Sequence, residues 1–255
     1  MTRSHDDERD PAPTLSIVVP TYNERTRLGE LVQRVFEVFR DHRIAGELIV
    51  VDDNSPDGTG AFAEELAQRF SVRVVHRSGK LGLGTAVIDG FAAARGRILG
   101  VMDADLSHPP DALPRMLAAL EQYRADLVIA SRYVAGGSTH NWPIVRRAMS
   151  RFACFLARPL TVARDATSGF FLIRRPATEN VRIQAGGFKI CLELLVRGHV
   201  DTIVEVPYAF SDRAAGESKM NWHEATGYFR QVYDLLRHRL AHRRRQTYHR
   251  ASADV

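Results

Sequence analysis

Short apolar runs alternate along the chain with longer segments whose apolar residues recur every three or four positions. The runs of strand length are Leu15–Val19, Leu48–Val51, Val72–Val75, Ile98–Met102 and Leu127–Ala130. The segments with helical periodicity cover 28–39, 57–70, 83–94 and 111–123. Runs of Val, Ile and Leu without alternation are typical of strands that helices cover on both faces. The pattern therefore predicts that residues 15–130 form a doubly wound α/β sheet.

Polar residues follow four of the predicted strands, at the points where the strands end. These clusters cover 20–24, 52–58, 103–105 and 131–133. Ligands of doubly wound sheets bind at the carboxyl ends of the strands. We therefore expect the four clusters to converge on one rim of the sheet and to form the functional site there.

Two carboxylates, Asp103 and Asp105, flank Ala104 directly after the fourth predicted strand. Residues two apart in an extended segment point to the same side, and hard divalent cations prefer oxygen ligands such as carboxylates. We therefore expect both side chains to hold Mg²⁺ or Mn²⁺, and we do not count the nearby Ser107 among the metal ligands. A solvated turn with a helix cap is the alternative, and the tripeptide taken alone favours it.

Composition places the chain among ordinary globular proteins. Of its 255 residues, 45% are hydrophobic and 25% are charged, which argues against a disordered or fibrous chain. The formal net charge of +5 arises at the C-terminus, because 237–250 contains six arginines and no acid. The two cysteines, Cys154 and Cys191, lie in apolar surroundings without CxxC spacing, so we expect buried free thiols and a reducing compartment.

Three segments with different properties are predicted along the chain. Residues 1–14 are polar, lack the apolar core of a signal peptide and are expected to be a disordered lead. Residues 15–220 are expected to form the folded domain, and 221–255 an amphipathic helix and a basic tail. No run approaches the roughly 20 apolar residues of a membrane-spanning helix, so we expect none.

Two helical patterns combine an apolar face with arginines. The first, over 144–156, has apolar positions Ile144, Ala148, Phe152, Phe155 and Leu156. The second, over 222–242, has apolar positions Trp222, Ala225, Phe229, Val232, Leu236 and Leu240. Such helices lie in membrane interfaces, although the first pattern fits a core helix equally well. We favour an anionic membrane as the binding partner of the basic tail. Nucleic acid is disfavoured because no nucleic-acid-binding motif accompanies the tail. The third alternative is a solvated tail without a partner.

Eight short motifs carry a resemblance to a known family. They are VVPTYNE (18–24), VVDDNSPDGT (50–59), KLGLGTA (80–86), MDADLSHPPD (102–111), SRY (131–133), DATSGFF (165–171), GFKICLELLVRG (187–198) and VPYAFSDRAAGESK (206–219). Together they resemble the family-2 glycosyltransferases of the GT-A fold, and within them the dolichol- or polyprenol-phosphate mannose synthases. The resemblance implies an α/β, doubly wound, Rossmann-like mixed sheet in a single domain with a C-terminal amphipathic helix.

The resemblance also implies roles for individual residues. Those that contact the nucleotide sugar are Pro20, Tyr22, Glu24, Val51, Asp53, Asp103, Ala104, Asp105, Arg213 and Lys219. Those that grip the acceptor phosphate are Arg132, Arg146, Arg147 and Ser150. Asp103 and Asp105 are the metal ligands in this scheme, and Asp105 and Arg132 are the catalytic residues.

The function implied is metal-dependent, inverting transfer of mannose from GDP-mannose to a polyprenyl phosphate. We expect a cytoplasmic protein that contacts the cytosolic face of an anionic membrane, and a separate membrane subunit remains an open alternative. A UDP-sugar donor is the first rival. A sugar-nucleotide nucleotidyltransferase is disfavoured because PTYNE occupies the place of its Gly-rich loop, and a non-catalytic binding subunit because both carboxylates, Arg213 and Lys219 are intact.

Overall fold

The computed structural model describes residues 13–140, 142–181, 183, 189–211, 222–242 and 244–251. Strands and helices alternate in the first half of the chain, as the hydrophobic pattern predicts. In chain order they are β1 (Leu15–Thr21), α1 (Arg25–Asp41), β2 (Gly46–Asp52), α2 (Thr59–Ala67), β3 (Val72–His76), α3 (Leu83–Ala93), β4 (Ile98–Val101), α4 (Leu113–Gln122) and β5 (Leu127–Ser131).

The second half contains shorter strands between three helices. In chain order the elements are β6 (Ser138–His140), α5 (Ile144–Ala157), β7 (Phe171–Arg174), α6 (Ile190–Arg197), β8 (Thr202–Pro207), β9 (Ala209–Ser211), α7 (Trp222–Ala241) and β10 (Thr247–Arg250). Within the described residues no helix is long and apolar enough to span a membrane.

Eight of the described strands form one mixed sheet in the order β10-β8-β5-β7-β4-β1-β2-β3. Strand β7 runs antiparallel to both of its neighbours, β4 and β5. The other pairs in this sheet are parallel, and a small second sheet pairs β6 with β9. The predicted mixed sheet is therefore confirmed.

This strand order places the four polar clusters at one rim. The carboxyl ends of β1, β2, β4 and β5 lie there, and the antiparallel β7 starts from the same rim. The segment 165–170 that leads into β7 consequently passes between the ends of β4 and β5, where Ala130 N–H donates to Phe170 O at 3.0 Å. The expected convergence of the strand ends is confirmed.

Helices cover both faces of the sheet, which explains the continuous apolar runs of the strands. In β1, Ile17 and Val19 pack in the core cluster that includes α1 and α4. Val18, between them, packs in the cluster that includes α3 and α6. Helix α3 approaches β1 closely through Gly90, where an added Cβ atom would lie only 2.4 Å from a Val18 methyl carbon.

The C-terminal segment differs from the basic tail that the sequence predicted. Its last described strand, β10, joins the large sheet as an edge strand parallel to β8, with Tyr248 opposite Ile203. The sequence Thr-Tyr-His-Arg is short and polar, so hydrophobic periodicity gives no sign of a strand there. The sheet therefore extends beyond residue 220, which was the expected end of the domain.

Helix α7 is present, and its packed face matches the predicted one only in part. Val232 and Leu236 of the predicted face pack against the core, whereas Phe229 and Leu240 are more than half exposed. Tyr228 and Leu235, which lie outside the predicted face, are buried. The Tyr228 hydroxyl donates to Ala153 O at 2.6 Å, which fastens α7 to α5.

Candidate active site at the carboxyl rim of the sheet

The Asp103–Asp105 segment is a turn, because β4 already ends at Val101. Leu106 closes this turn with a φ of +65°, which is unusual for a residue with a Cβ atom. The expected strand-like path of this segment was therefore wrong. A turn, and not strand alternation, sets the backbone at Asp105.

Ser107 orients Asp105 within this turn. Its backbone N–H and its hydroxyl both donate to Asp105 Oδ1, at 3.0 and 2.5 Å. Ser107 is 2% exposed, so its hydroxyl donates to the carboxylate from the buried side. We therefore assign the Ser107 hydroxyl to holding Asp105.

The buried His108 contacts Asp103, and the sequence analysis did not predict this role. Its Nδ1 accepts a hydrogen bond from Asp103 N–H at 3.1 Å, and its Nε2 lies 3.7 Å from Asp103 Oδ2. The ring stacks on Phe170 at a centroid distance of 5.2 Å. Burial lowers the pKa of His108, although the nearby carboxylates oppose the shift. The neutral ring with Nε2–H facing Asp103 accounts for both contacts.

Asp103 and Asp105 offer carboxylate oxygens, the ligand type that a hard divalent cation prefers. The Asp103 side chain is 41% exposed, and Gly169 leaves room beside it, since a Cβ atom there would lie 3.5 Å from Oδ2. Within the described ranges, no group of three or more His, Cys, Asp or Glu side chains is arranged to hold a metal ion. Phosphate oxygens and water would therefore complete the coordination.

The predicted nucleoside contacts come together at the ends of β1 and β2. Pro20 lies opposite Val51 in the parallel register, and Asp53 N–H donates to Thr21 O at 3.0 Å. Tyr22 is 39% exposed, with the Lys80 ammonium 4.6 Å from its ring centre.

Glu24 lies at the N-terminus of α1 and is held to the neighbouring α2. Its backbone N–H donates to Thr59 Oγ1 at 3.0 Å. Together with Pro20, Tyr22, Val51 and Asp53 it completes the expected nucleoside set, which the structure therefore places along one stretch of the rim.

Arg77 joins this region to the Gly-rich loop 80–85 and was also missed. Its Nη1 lies 2.5 Å from Asp53 Oδ1 and 3.3 Å from Gly82 O, and its Nη2 bonds the Thr85 hydroxyl. Its Nε lies 3.0 Å from a carboxylate oxygen of Asp89. The side chain is almost fully buried. Its position one residue after a strand, just before a Gly-rich turn, is the only signal of this role in the sequence.

Arg132 is held rigidly at the end of β5 by Asp165. Its Nε and Nη2 donate to the two carboxylate oxygens of Asp165 at 2.9 and 2.6 Å, and its backbone N–H donates to the same group at 2.9 Å. Burial disfavours the charged guanidinium, but the attraction of Asp165 outweighs it and raises the pKa of Arg132. The arginine is therefore a fixed positive charge at the rim.

The predicted acceptor residues on α5 lie beside Arg132. The guanidinium carbons of Arg132 and Arg146 lie 5.3 and 4.3 Å from the centre of the Trp142 ring. Arg147 and Ser150 occupy the same helix within about one turn. Arg132 also lies 5.2 Å from the ring centre of Tyr133. The two aromatic rings therefore frame the arginines, a feature absent from the sequence prediction.

Two buried hydrogen-bond donors on the acceptor side, Trp142 Nε1 and Arg147 Nε, have no hydrogen-bond partner among the described residues. The buried hydroxyls of Tyr133 and Tyr208 lie in the same region and interact with Ser150 and Ser168. Tryptophan and arginine side chains only donate hydrogen bonds. The two unused donors near the Arg132 cation therefore suit an anion.

Two predicted donor contacts, Arg213 and Lys219, lie outside the described residues. Both expected free thiols are confirmed, since Cys154 and Cys191 are buried and unpaired with each other. The apolar face predicted for α5 points away from the core: Ile144, Phe152 and Phe155 are each more than half exposed. For these side chains the core-helix alternative is wrong.

Comparison with known proteins identifies the family. Residues 16–182 match the family model described as glycosyl transferase family 2. The chain belongs to glycosyl transferase family 2. It is 40% identical over 230 residues to the dolichol-phosphate mannosyltransferase of Pyrococcus furiosus, covering 88% of this chain and 64% of that protein. Against the protein of the same name from Saccharomyces cerevisiae, the identity is 38% over 231 residues, covering 86% of each.

Solved structures of similar proteins confirm the GT-A fold of this glycosyltransferase. Glucosyl-3-phosphoglycerate synthase from Mycobacterium tuberculosis, in complex with Mn²⁺, UDP and glucosyl-3-phosphoglycerate, aligns with a TM-score of 0.63 at 24% identity and covers 88% of this chain and 78% of its own. A mannosyltransferase from Pyrobaculum calidifontis, in complex with GDP-Man and Mn²⁺, aligns with a TM-score of 0.61 at 18% identity and covers 88% and 65%. At these identities the likeness concerns the fold.

Proposed function

We propose that this glycosyltransferase moves mannose from GDP-mannose to the phosphate of a polyprenyl lipid, releasing GDP and inverting the anomeric carbon. The names of the relatives at 38–40% identity support this substrate pair. The chain spans under two thirds of the length of the Pyrococcus relative, so the assignment rests on the site as well as on the names.

The observation that carries the proposal is the pair of unused buried donors near Arg132. An unsatisfied buried donor costs about 1–3 kcal/mol, and Trp142 and Arg147 each present one. A phosphate monoester bears a charge of about −1.5 to −2 and three acceptor oxygens. A terminal lipid phosphate therefore satisfies these donors and Arg132 together, whereas an uncharged sugar hydroxyl would leave most of them unpaired.

The nucleophile needs little activation, because the acceptor phosphate is already ionised at neutral pH. One of its oxygens forms the bond to the anomeric carbon, and the bond to the diphosphate breaks with its electron pair leaving on GDP. Attack opposite the leaving group inverts the carbon. Arg132 and Arg146 hold the incoming phosphate against its repulsion from the donor, so we assign Arg132 to catalysis.

On the donor side, a Mg²⁺ or Mn²⁺ ion bound there would stabilise the charge of the departing diphosphate. Asp103 and Asp105 are the residues that would hold it, with Ala104 leaving the backbone accessible. Asp53 accepts N–H groups of the base, Tyr22 covers its face, and Pro20, Val51 and Glu24 enclose the nucleoside. Arg213 and Lys219 are proposed to contact the same donor.

The exposed apolar side chains of α5 and α7 support a peripheral position on a membrane. Phe152 and Phe155 on α5, and Phe229 and Tyr233 on α7, are all more than half exposed. Arg158 lies 5.8 Å from the ring centre of Phe155. We propose that this surface contacts the anionic cytosolic leaflet, where each arginine near the surface contributes about 1 kcal/mol.

A UDP-sugar donor is the second candidate, because a carboxylate such as Asp53 also accepts the N–H group of uracil. To decide, the protein is incubated with a polyprenyl phosphate, Mg²⁺ or Mn²⁺, and labelled GDP-mannose, UDP-glucose or UDP-GlcNAc. We expect labelled lipid from GDP-mannose. Labelled lipid only from a UDP-sugar would overturn the donor assignment, and transfer to a glycan alone would overturn the acceptor assignment.

A further inference from the structure

A line of hydrogen bonds runs from the C-terminal strand β10 to Arg132. The Tyr248 hydroxyl donates to Glu205 Oε2 at 2.6 Å. The other oxygen of Glu205 accepts the backbone N–H of Asp165 at 2.7 Å. Asp165 in turn accepts three hydrogen bonds from Arg132. Three consecutive hydrogen-bonded links therefore connect β10, at the edge of the sheet, with Arg132.

Glu205 is the central link of this line. It lies on β8, is fully buried, and forms no ion pair with any residue that the structure describes. Its Oε2, which accepts the Tyr248 hydroxyl, also accepts the backbone N–H of Arg164 at 3.2 Å, so one carboxylate holds two consecutive peptide groups. A buried carboxylate of this kind depends on its hydrogen bonds, and Tyr248 supplies the side-chain one.

A second contact from the same C-terminal segment holds the same loop. Thr161 Oγ1 donates to Gln246 Oε1 at 2.8 Å, and Gln246 Nε2 donates to Leu195 O at 2.7 Å. Residues 158–170 contain no helix or strand, so tertiary contacts of this kind fix their path. Gln246 and Tyr248 thus hold the loop that carries Asp165 at two points.

We infer that β10 is a positioning element for the acceptor side of the site, acting from Tyr248 through Glu205 and Asp165 on Arg132. This inference rests on the proposed acceptor role of Arg132. Removing the Tyr248 hydroxyl loosens the Asp165 loop and lets the guanidinium turn. The phosphate then binds less tightly, while the donor side at β1, β2 and β4 is unaffected.

The test compares Tyr248→Phe with Thr247→Val, an exposed position on the same strand. The first readout is the NMR resonance of the Arg132 Nε–H group, identified by its loss in Arg132→Lys. The second and third are the dissociation constants of farnesyl phosphate and of GDP with Mg²⁺. Gln246→Ala repeats the test from the other contact point, in case Tyr248→Phe does not fold.

We expect Tyr248→Phe to shift or broaden the Arg132 resonance and to weaken farnesyl phosphate binding roughly three- to tenfold, as loss of one hydrogen bond implies. GDP binding stays unchanged, and Thr247→Val resembles the wild type. An unaltered Arg132 resonance, or equal losses of farnesyl phosphate and GDP binding, would overturn the inference. If the wild type binds no farnesyl phosphate, the proposed acceptor fails, and the resonance still decides whether β10 positions Arg132.

Discussion

Arg77 and Asp53 form a buried ion pair in which Nη1 lies 2.5 Å from Oδ1. Asp53 is the carboxylate assigned to the nucleobase, and Arg77 also contacts Gly82 and Thr85 of the Gly-rich loop. The pair therefore sets both the direction of the Asp53 carboxylate, which is proposed to contact the base, and the position of the loop beside it. Neither residue can change without disturbing the other.

Arg77→Met is expected to destabilise the protein by about 3 kcal/mol, because it leaves Asp53 buried without its counter-charge. GDP binding should also weaken by at least about tenfold, since Asp53 loses its fixed direction. Urea unfolding and calorimetric titration with GDP measure the two effects. Arg73→Ala, which changes an exposed arginine on the preceding strand β3, is the control; normal GDP binding by the Arg77→Met variant would refute the role of the pair.

Asp105→Ala is expected to abolish the metal-dependent part of donor binding. The substitution removes one of two carboxylates proposed to hold the cation, and no cluster of three or more His, Cys, Asp or Glu side chains in the described ranges could replace it. Titration with GDP in the presence of Mn²⁺ or EDTA measures the effect. Asp111→Ala, an exposed carboxylate just beyond the turn, should behave as the wild type. Unchanged metal dependence in Asp105→Ala would exclude this residue as a ligand.

Trp142→Phe tests the anion site around Arg132. The substitution keeps an aromatic ring against Arg132 and Arg146 but removes the unpaired Nε1–H donor. A hydrogen bond to a charged group contributes about 1.5–3 kcal/mol, so farnesyl phosphate should bind at least about tenfold more weakly, with GDP binding unchanged. Tyr233→Phe, which removes an exposed hydroxyl, is the control. Equal affinity for farnesyl phosphate in Trp142→Phe and the wild type would show that the indole N–H does not bind the phosphate.

The double variant Phe152→Asp/Phe155→Asp tests the membrane contact. Both rings are exposed, so folding should be unaffected, whereas burial of each ring in a lipid interface contributes about 1.5–3 kcal/mol. Sedimentation with phosphatidylglycerol vesicles should fall more than tenfold, and transfer to farnesyl phosphate in solution should persist. Undiminished sedimentation would show that another surface binds the membrane.

The parts of the fold that could be predicted are those with strong periodicity. The apolar runs at Leu15–Val19 and Leu48–Val51 became buried parallel strands because both faces of the sheet are covered. Strand β10 could not be predicted, since an edge strand of four polar residues needs only one partner and no apolar stripe. In α7, Tyr228 and Gln231 fill two of the buried positions, and hydropathy does not select residues of these types.

The residues of the site also fall into two groups: some could be predicted from their type and spacing, and others became apparent only from their contacts in the structure. Asp103 and Asp105 stand out by their spacing after a strand. His108 and Arg77 act through contacts with residues five and 24 positions away, and Asp165 meets Arg132 across 33 positions. The Arg77–Asp53 and Arg132–Asp165 pairings depend on strand order, which the local sequence does not encode, whereas the His108–Asp103 contact depends on the shape of one turn.

Transfer of mannose to a lipid phosphate held beside Arg132 is the core of the proposed function. A decisive measurement supplies GDP-mannose labelled in the sugar, with Mg²⁺, to the protein together with either a polyprenyl phosphate or the corresponding polyprenol. We predict label in the lipid fraction with the phosphate and none with the alcohol. Label on the polyprenol, or no lipid product from either acceptor, would refute the proposed transfer.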